Sequence, residues 1–289
     1  MKKTITTFLN AKASNQRLTM VTAYDYAAAR QVDACDVDAI LVGDSLGMVC
    51  LGYPNTLPVT MADMIHHTRA VARGTTEALL ISDLPFMSYQ ASVHDAVSNA
   101  GRLVQEGFAE AVKLEGGTSV LPQIRAIVRA QIPVMGHLGL TPQSINAFGG
   151  FKYQGKNEAA ARQLIEDARK LADAGVFSIV LECLPAELAD LIRQAVPIPV
   201  IGIGSGAGCD GQVLVYHDLL GMFPDFKPRF AKVFADAGQL IETGLKAYVQ
   251  AVRDGSFPAA EHTVALDPDL SSRLKAELVT TSCELQEGQ

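Results

Sequence analysis

Several apolar segments of this chain end abruptly in side chains that can do chemistry. The clearest is AILVGDSLG (residues 39–47), in which Asp44 and Ser45 follow four apolar residues and a glycine. Taken singly, an aspartate or serine in this position is typical of a turn or a helix cap. Six further apolar runs carry polar residues at their ends, and these residues are Tyr24, Asp25, Asp83, Lys113, Glu115, His137, Glu182, Cys183 and Ser205.

Taken together, these residues predict a charged site that needs a cation. If the apolar runs are strands that end at one mouth, four carboxylates, one lysine and one histidine converge there. So many like charges would repel one another in a partly desolvated site, and a divalent cation would relieve the repulsion. Carboxylate oxygens suit Mg²⁺, which also keeps positions for water or substrate. Zinc is disfavoured because no His/Cys cluster has ligand spacing.

A magnesium ion that is open on one side suits a 2-oxo acid, which can chelate it through carboxylate and carbonyl oxygens. Such an ion polarises the carbonyl group and stabilises an enolate. Lys113 could then pair with the substrate carboxylate or with the developing enolate charge. A further carboxylate that does not bind the metal could take the α-proton, and Glu182, which follows the apolar run FSIVL, has a suitable setting.

The elements that must position these residues alternate between short apolar runs and longer amphipathic segments. The apolar runs are nearly continuous, which is typical of strands buried on both faces of a parallel sheet. Eight such units in about 220 residues predict the α/β class and a (β/α)8 TIM barrel, whose active site lies at the C-terminal ends of the strands. The predicted strands are residues 18–24, 39–44, 78–86, 111–117, 132–140, 177–183, 198–206 and 212–220.

Three of the intervening helices carry their own boundary signals. Residues 60–74 and 92–107 each begin at a hydroxyl residue suited to an N-cap and end at glycine, and residues 157–175 end at Gly175. A doubly wound open sheet is the alternative architecture, but no GxGxxG follows the first strand and eight units would be many for it. The eighth apolar run could also be a helix, because periodicity cannot decide so short a segment.

Composition narrows the class of protein. The chain has 289 residues, of which 48% are hydrophobic and 19% are charged, and the net charge of -7 disfavours nucleic-acid binding. Five cysteines without a CxxC pair suit a reducing compartment. No secretory signal and no apolar run of about 20 residues is evident, so we expect a cytoplasmic protein without membrane contact. We expect one catalytic domain over residues 1–264 and a polar, peripheral or disordered tail over residues 265–289.

A set of motifs in this order resembles the ketopantoate hydroxymethyltransferase (3-methyl-2-oxobutanoate hydroxymethyltransferase) family. The combination of GDSLGM followed by LPVT with GHLGLTPQS is the most specific part of the resemblance. The matching segments are TAYDY, LVGDSLGMVCLGYPNTLPVT, DLPFMSY, VKLEGG, GHLGLTPQS, GGFKYQG, LECLPAELA and IPVIGIGSGAGCDGQVLVYHDLLGM. The resemblance implies a (β/α)8 barrel of the phosphoenolpyruvate-mutase-like kind and a homodecamer.

The resemblance also implies a reaction. A hydroxymethyl group passes from 5,10-methylenetetrahydrofolate to 3-methyl-2-oxobutanoate, giving 2-dehydropantoate for pantothenate synthesis. By motif, Asp44 and Asp83 would hold Mg²⁺ and contact the substrate, with Glu115 completing the acidic site directly or through water. Ser45 and Lys113 would contact the oxo acid. The resemblance gives Glu182 as the proton acceptor and His137 a supporting role near the folate-derived leaving nitrogen.

Other assignments of the same residues stay open at this stage. A Mg²⁺-dependent lyase or mutase acting on a related 2-oxo acid or phosphoenolpyruvate would use a similar site, and a non-catalytic barrel that binds an oxo acid is a third possibility. The glycine-rich stretch IPVIGIGSGAG could cradle a phosphate, although close approach of the strand end to another ligand explains its glycines as well. The loop FGGFKYQGK (148–156) is expected to order over the site as a lid.

Overall fold

Eight parallel strands close into one barrel, as predicted. A computed structural model describes residues 1–223 and 228–287. Each strand pairs with the next along the chain, and β1 pairs with β8, so the sheet has no edge. This closure excludes the open-sheet alternative. The strands are β1 (Leu18–Thr22), β2 (Ala39–Val42), β3 (Leu79–Asp83), β4 (Ala111–Glu115), β5 (Val134–Gly139), β6 (Ser178–Glu182), β7 (Val200–Ile203) and β8 (Gly211–Leu214).

Helices connect the strands and begin where the sequence signals predict. Thr60, Ser92 and Asn157 each accept a hydrogen bond from the backbone N–H three residues ahead, which satisfies a donor that a helix start would otherwise leave unpaired. The α-helices are α1 (Ile5–Ser14), α2 (Tyr26–Asp33), α3 (Leu46–Val49), α4 (Met61–Gly74), α5 (Val93–Gln105), α6 (Leu121–Arg129), α7 (Ile145–Phe148), α8 (Glu158–Asp173), α9 (Ala186–Ala195), α10 (Tyr216–Leu219), α11 (Ala237–Arg253) and α12 (Pro268–Glu287).

Two layers of apolar side chains hold the barrel together. One layer lies between the strands and the helices and includes Ile40, Leu80 and Leu114. The other fills the barrel interior, where Phe8 of α1 packs edge-on against Phe177, with ring centroids 5.6 Å apart. Because Phe177 directly precedes β6, this aromatic pair closes the N-terminal end of the barrel and leaves the C-terminal end for a site.

The eighth strand is shorter than the sequence predicts. We expected residues 212–220 to form a strand, but β8 ends at Leu214 and the following residues turn into α10. The Thr22 hydroxyl accepts the backbone N–H of Tyr216 at 2.9 Å, so a side chain takes the hydrogen bond that would have continued the sheet. This tertiary contact therefore determines where β8 ends, which the periodicity of the sequence could not decide.

The chain divides into two compact units, Met1–Asp236 and Ala237–Gln289. The first unit contains the whole barrel. The second contains α11 and α12, and the predicted tail (265–289) lies within it, its last two residues falling outside the described part of the chain. The predicted domain boundary at residue 264 stays a prediction. No helix in the described part of the chain is both long enough and apolar enough to cross a membrane.

Asp33, at the end of α2, fixes the start of β3. Its carboxylate accepts hydrogen bonds from the backbone N–H groups of Thr76, Glu77 and Ala78 at 2.8–3.2 Å and from the Thr76 hydroxyl at 2.6 Å. Burial alone would raise the pKa of Asp33, but these hydrogen bonds outweigh it and lower the pKa. The ionised carboxylate of Asp33 therefore fixes residues 76–78, which lead into β3.

We expect Asp33→Asn to lower the free energy of unfolding by about 2 kcal/mol at pH 7, because an amide cannot accept all of these hydrogen bonds. The folded-state pKa is depressed, so the stabilisation is complete above the unfolded-state pKa of about 3.9 and is lost as the pH falls through the folded-state value. Urea unfolding measured from pH 7 downward should show that the difference in unfolding free energy between the variant and wild type narrows only at acidic pH. Asp173→Asn, at an exposed position, is the control, and equal midpoints at pH 7 would contradict the role of Asp33.

Candidate active site

The alternation of side chains along β4 places two charged groups inside the barrel. Ala111 belongs to the interior layer, whereas Val112 and Leu114 belong to the layer under the helices. Lys113 and Glu115 therefore share the interior face with Ala111. Both are almost fully buried. The same alternation brings Asp83, His137 and Glu182 inward at the ends of β3, β5 and β6.

Lys113 and Asp83 form the central ion pair of this cluster. The Lys113 Nζ lies 2.8 Å from the Asp83 Oδ1, and both side chains are about 5% exposed or less. The other Asp83 oxygen, Oδ2, accepts the backbone N–H of Asp44 at 3.1 Å. Gly43 leaves room for the Ser45 hydroxyl, since a Cβ there would lie only 2.8 Å from the Ser45 Oγ. Asp83 thus connects the end of β3 to both neighbouring strands.

Gln143 connects two of the carboxylates, and residue type alone did not point to it. Its side-chain Nε2 donates to the Asp44 Oδ2 at 2.8 Å and to the Leu84 carbonyl, while its backbone N–H donates to the Glu115 Oε2 at 2.9 Å. Its Oε1 accepts from the Tyr89 hydroxyl at 2.8 Å. Gln143 therefore fixes how Asp44 and Glu115 face each other. Its position in the motif GHLGLTPQS was the one available signal.

Tyr24 is a second residue whose role the sequence did not reveal. Its hydroxyl lies 2.8 Å from the Ser45 Oγ and is buried. Burial strongly raises the pKa of Tyr24, so the phenol keeps its proton. We had noted Tyr24 only as a strand-end residue. The structure shows that it orients the hydroxyl of a predicted substrate-binding residue.

His137 lies between two carboxylates. Its Nδ1 is 3.5 Å from the Glu115 Oε1, and its Nε2 is 3.3 Å from the Glu182 Oε2. Burial and the nearby Lys113 lower the pKa of His137, but the carboxylates of Glu115 and Glu182 outweigh them and raise it to about 9. The imidazole thereby joins Glu182 to the remainder of the cluster.

The cluster as a whole carries excess negative charge. Burial is the largest cause that raises the pKa of Asp44 well above its ordinary value, and the charges of Asp83 and Glu115 raise it further. Burial also raises the pKa of Asp83 in spite of Lys113. For Lys113 itself, burial lowers the pKa, but the three carboxylates around it outweigh burial and raise it. One lysine faces three acids, which favours binding of an additional cation.

The donor types of this cluster fit Mg²⁺ better than zinc. Mg²⁺ commonly takes one or two carboxylates and completes its shell with water and substrate oxygens. Asp44 and Asp83 can supply such carboxylates, with Glu115 nearby. Within residues 1–223 and 228–278, no three His, Cys, Asp or Glu side chains stand close enough to hold a metal by themselves. A site that depends on water and substrate for its remaining ligands agrees with this arrangement.

A cavity of about 420 Å³ contains all the predicted site residues, and this volume lies in the range of small-molecule sites. They are Asp44, Ser45, Asp83, Lys113, Glu115, His137 and Glu182. Phe151, Lys152 and Tyr153 line the same cavity, so the predicted lid segment does border the site. The closing motion of that segment stays a prediction.

Three other strand-end residues have structural roles or a different orientation. Asp25 caps α2 by accepting the Ala28 N–H at 2.8 Å, and the Ser205 hydroxyl donates to the Leu181 carbonyl at 2.8 Å. Cys183 follows Glu182 directly but lines the same cavity, because its φ of 50° breaks the strand alternation. Burial, and secondly the charge of Glu182, raise the pKa of Cys183 to about 12, which keeps it an inert thiol.

Comparison with known proteins is consistent across the chain. A family model described as ketopantoate hydroxymethyltransferase matches residues 2–260. A 3-methyl-2-oxobutanoate hydroxymethyltransferase of Clostridium novyi is 62% identical over 274 residues, which cover 95% of this chain and all of the relative. The enzyme of the same name from Enterococcus faecalis is 56% identical with the same coverage.

Solved structures with a similar fold are more distant in sequence. A 2,3-dimethylmalate lyase of the PEP mutase/isocitrate lyase superfamily has a TM-score of 0.56 at 16% identity, covering 99% of both chains. A phosphonopyruvate hydrolase crystallised with oxalate and Mg²⁺ has a TM-score of 0.58 at 13% identity, covering 97% of this chain and 99% of that one. At these identities the likeness concerns the fold alone, and it agrees with the predicted type of barrel.

We expect Gln143→Met to lower the free energy of unfolding by about 2 kcal/mol, because it leaves buried oxygens of Asp44 and Leu84 without their donor. Methionine keeps most of the side-chain volume, so a cavity should contribute little. Urea unfolding at pH 7 measures the change. Gln105→Met, at an exposed position of α5, is the matched control and should unfold like wild type; equal stability of the two variants would show that the Gln143 network is dispensable.

Proposed function

The chain belongs to the ketopantoate hydroxymethyltransferase family, and from this premise we propose that it transfers a hydroxymethyl group from 5,10-methylenetetrahydrofolate to 3-methyl-2-oxobutanoate. The product is 2-dehydropantoate, a precursor of pantothenate. The reaction removes the proton at C3 of the oxo acid and forms a carbon–carbon bond there. The carbon–nitrogen bonds between the donor's methylene carbon and the folate break, and water supplies the hydroxyl oxygen of the product. The site must therefore hold the oxo acid, stabilise an enolate and admit the one-carbon donor.

The single observation that best supports this function is the position of Lys113 among three buried carboxylates at the mouth of the barrel. We propose that Asp44 and Asp83 hold Mg²⁺ and that Glu115 completes the acidic site, directly or through water. When bound, Mg²⁺ supplies Lewis acidity toward the oxygens of the oxo acid. Lys113 contributes a fixed positive charge that stabilises the enolate oxygen or the substrate carboxylate.

Glu182 is the proposed proton acceptor. It lines the cavity together with the acidic cluster but is more exposed, with 15% of its side chain accessible, whereas Asp83 and Glu115 are under 5%. The His137 Nε2 near its Oε2 fixes one carboxylate oxygen and leaves the other for the C3 proton. Because Glu182 is more exposed than the other carboxylates, it can take part in proton transfer while the buried carboxylates hold the metal and the oxo acid.

Ser45 and His137 are proposed to position the reactants. The Tyr24 hydroxyl restricts the Ser45 hydroxyl to one orientation, in which it can hydrogen-bond the oxo acid. His137, held between Glu115 and Glu182, is proposed to have a supporting role near the leaving nitrogen of the folate. The segment containing Phe151, Lys152 and Tyr153 borders the cavity and is suited to cover the bound reactants.

Further proposals concern the whole protein. From the resemblance to the family, we propose a homodecamer in the cytoplasm. We also propose that residues 1–264 are sufficient for the barrel chemistry and that residues 265–289 are peripheral. The last proposal rests on the polar composition of that segment.

Glu182→Gln should nearly abolish exchange of the C3 proton of 3-methyl-2-oxobutanoate for deuterium in the presence of Mg²⁺ and without folate. We expect a loss of about 10²–10⁴-fold, the usual contribution of a general base. NMR in D₂O measures the exchange, and Glu187→Gln on the exposed side of α9 is the matched control. Exchange at the wild-type rate in Glu182→Gln would eliminate Glu182 as the base. Formation of 2-dehydropantoate only when the folate is added would distinguish a hydroxymethyltransferase from a lyase or mutase.

Asp44→Asn and Asp83→Asn should each weaken Mg²⁺ binding at least about tenfold, because each replaces a charged ligand by a neutral one. Calorimetric titration with Mg²⁺, in the presence of the oxo acid, measures the affinity independently of turnover. Asp173→Asn controls for the general loss of one negative charge. If either site variant bound Mg²⁺ as tightly as the control, that aspartate would not be a ligand.

A further inference from the structure

The cavity is lined by more than the acidic cluster. Apolar and aromatic side chains also line it, together with one further carboxylate, that of Asp218. An oxo acid held by the acidic cluster is a small anion and leaves these other lining residues without a ligand. The apolar and aromatic lining residues are Met48, Val49, Phe151, Tyr153, Phe223 and Phe230.

Asp218 is held in place by its short helix. It lies on α10, which the Tyr216 N–H ties to the Thr22 hydroxyl at 2.9 Å. The next residue, His217, packs its ring against Tyr24, with centroids 5.5 Å apart. Asp218 also lies close enough to Tyr24 for its charge to raise the pKa of that phenol. Because Tyr24 hydrogen-bonds Ser45, Asp218 belongs to the part of the cavity that adjoins the oxo-acid end.

The Asp218 carboxylate is available to a ligand. It makes no hydrogen bond or ion pair with any other residue in the described part of the chain. Burial raises its pKa to about 6, so it is still largely ionised at pH 7. A partly buried carboxylate without a partner would repel the anionic oxo acid, and it needs a ligand that presents N–H donors.

We propose that Asp218 binds the pterin ring of the one-carbon donor, an inference that rests on the proposed function. The 2-amino-4-oxopyrimidine half of a pterin presents a ring N–H and an amino group side by side, and a carboxylate can accept both in a bidentate pair. The flat ring can stack on the aromatic side chains of the same region. Lys152 and Arg229, which also line the cavity, bring positive charge that suits the glutamate tail of a folate.

Binding of tetrahydrofolate, which cannot react without its one-carbon unit, tests this assignment directly. Calorimetric titration should give a dissociation constant roughly 10–100-fold higher for Asp218→Asn than for wild type, because the amide turns a donor toward the pterin N–H groups. Asp173→Asn, an exposed position on α8, is the matched control. Equal affinities of Asp218→Asn and wild type would overturn the inference.

Turnover separates this inference from the proposed function. Asp218→Asn should raise the KM for 5,10-methylenetetrahydrofolate by the same roughly 10–100-fold, whereas the folate-independent deuterium exchange should fall far less. Free formaldehyde, a donor without a pterin, should reduce the difference from wild type. If exchange and folate-dependent turnover fell equally, Asp218 would belong to the oxo-acid end and the inference would be wrong. If wild type formed no 2-dehydropantoate, the proposed function would fail. The tetrahydrofolate titration would still test whether Asp218 binds the pterin ring.

Discussion

The ion pair between Lys113 and Asp83 is the interaction on which the rest of the site depends. Two charges buried at this depth are tolerable because their atoms lie 2.8 Å apart and because the second Asp83 oxygen accepts the Asp44 N–H. The pair does not neutralise the cluster, since Asp44 and Glu115 also surround Lys113. The folded chain therefore holds an excess of buried negative charge, which it can offset by binding a cation or by keeping a proton. The proposed use of Mg²⁺ follows from that excess.

The register of the barrel brings these charges together. Asp83 is paired with Lys113 across β3 and β4, Glu115 with His137 across β4 and β5, and Gly139 with Glu182 across β5 and β6. A shift of one residue in any of these pairs would turn a charged side chain toward the apolar layer under the helices. The packing of that apolar layer and the assembly of the site therefore depend on each other, because both require the same alternation of side chains along the strands.

The sequence predicted which strand-end residues converge, but it did not predict the side chains that tertiary contacts add to them. Asp44 and Asp83 could be found because several apolar runs end in charged residues and the ends of barrel strands converge. Gln143 could not be found in this way, since glutamine is a common surface residue and its role arises from partners in three other segments. The end of β8 was missed for a similar reason, because the Thr22 side chain takes the Tyr216 amide.

The residues that line the cavity lie on two kinds of element, and this has a consequence for how the enzyme can vary. The acidic cluster consists of residues at strand ends whose directions are fixed by backbone pairing, so a change there disturbs both charge balance and packing. Asp218 lies on a short helix and Phe151, Tyr153 and Phe223 lie in loops, which tolerate change more readily. The proposed recognition of the donor by Asp218 can therefore be tuned by substitutions in α10, separately from the enolate chemistry proposed for the strand ends.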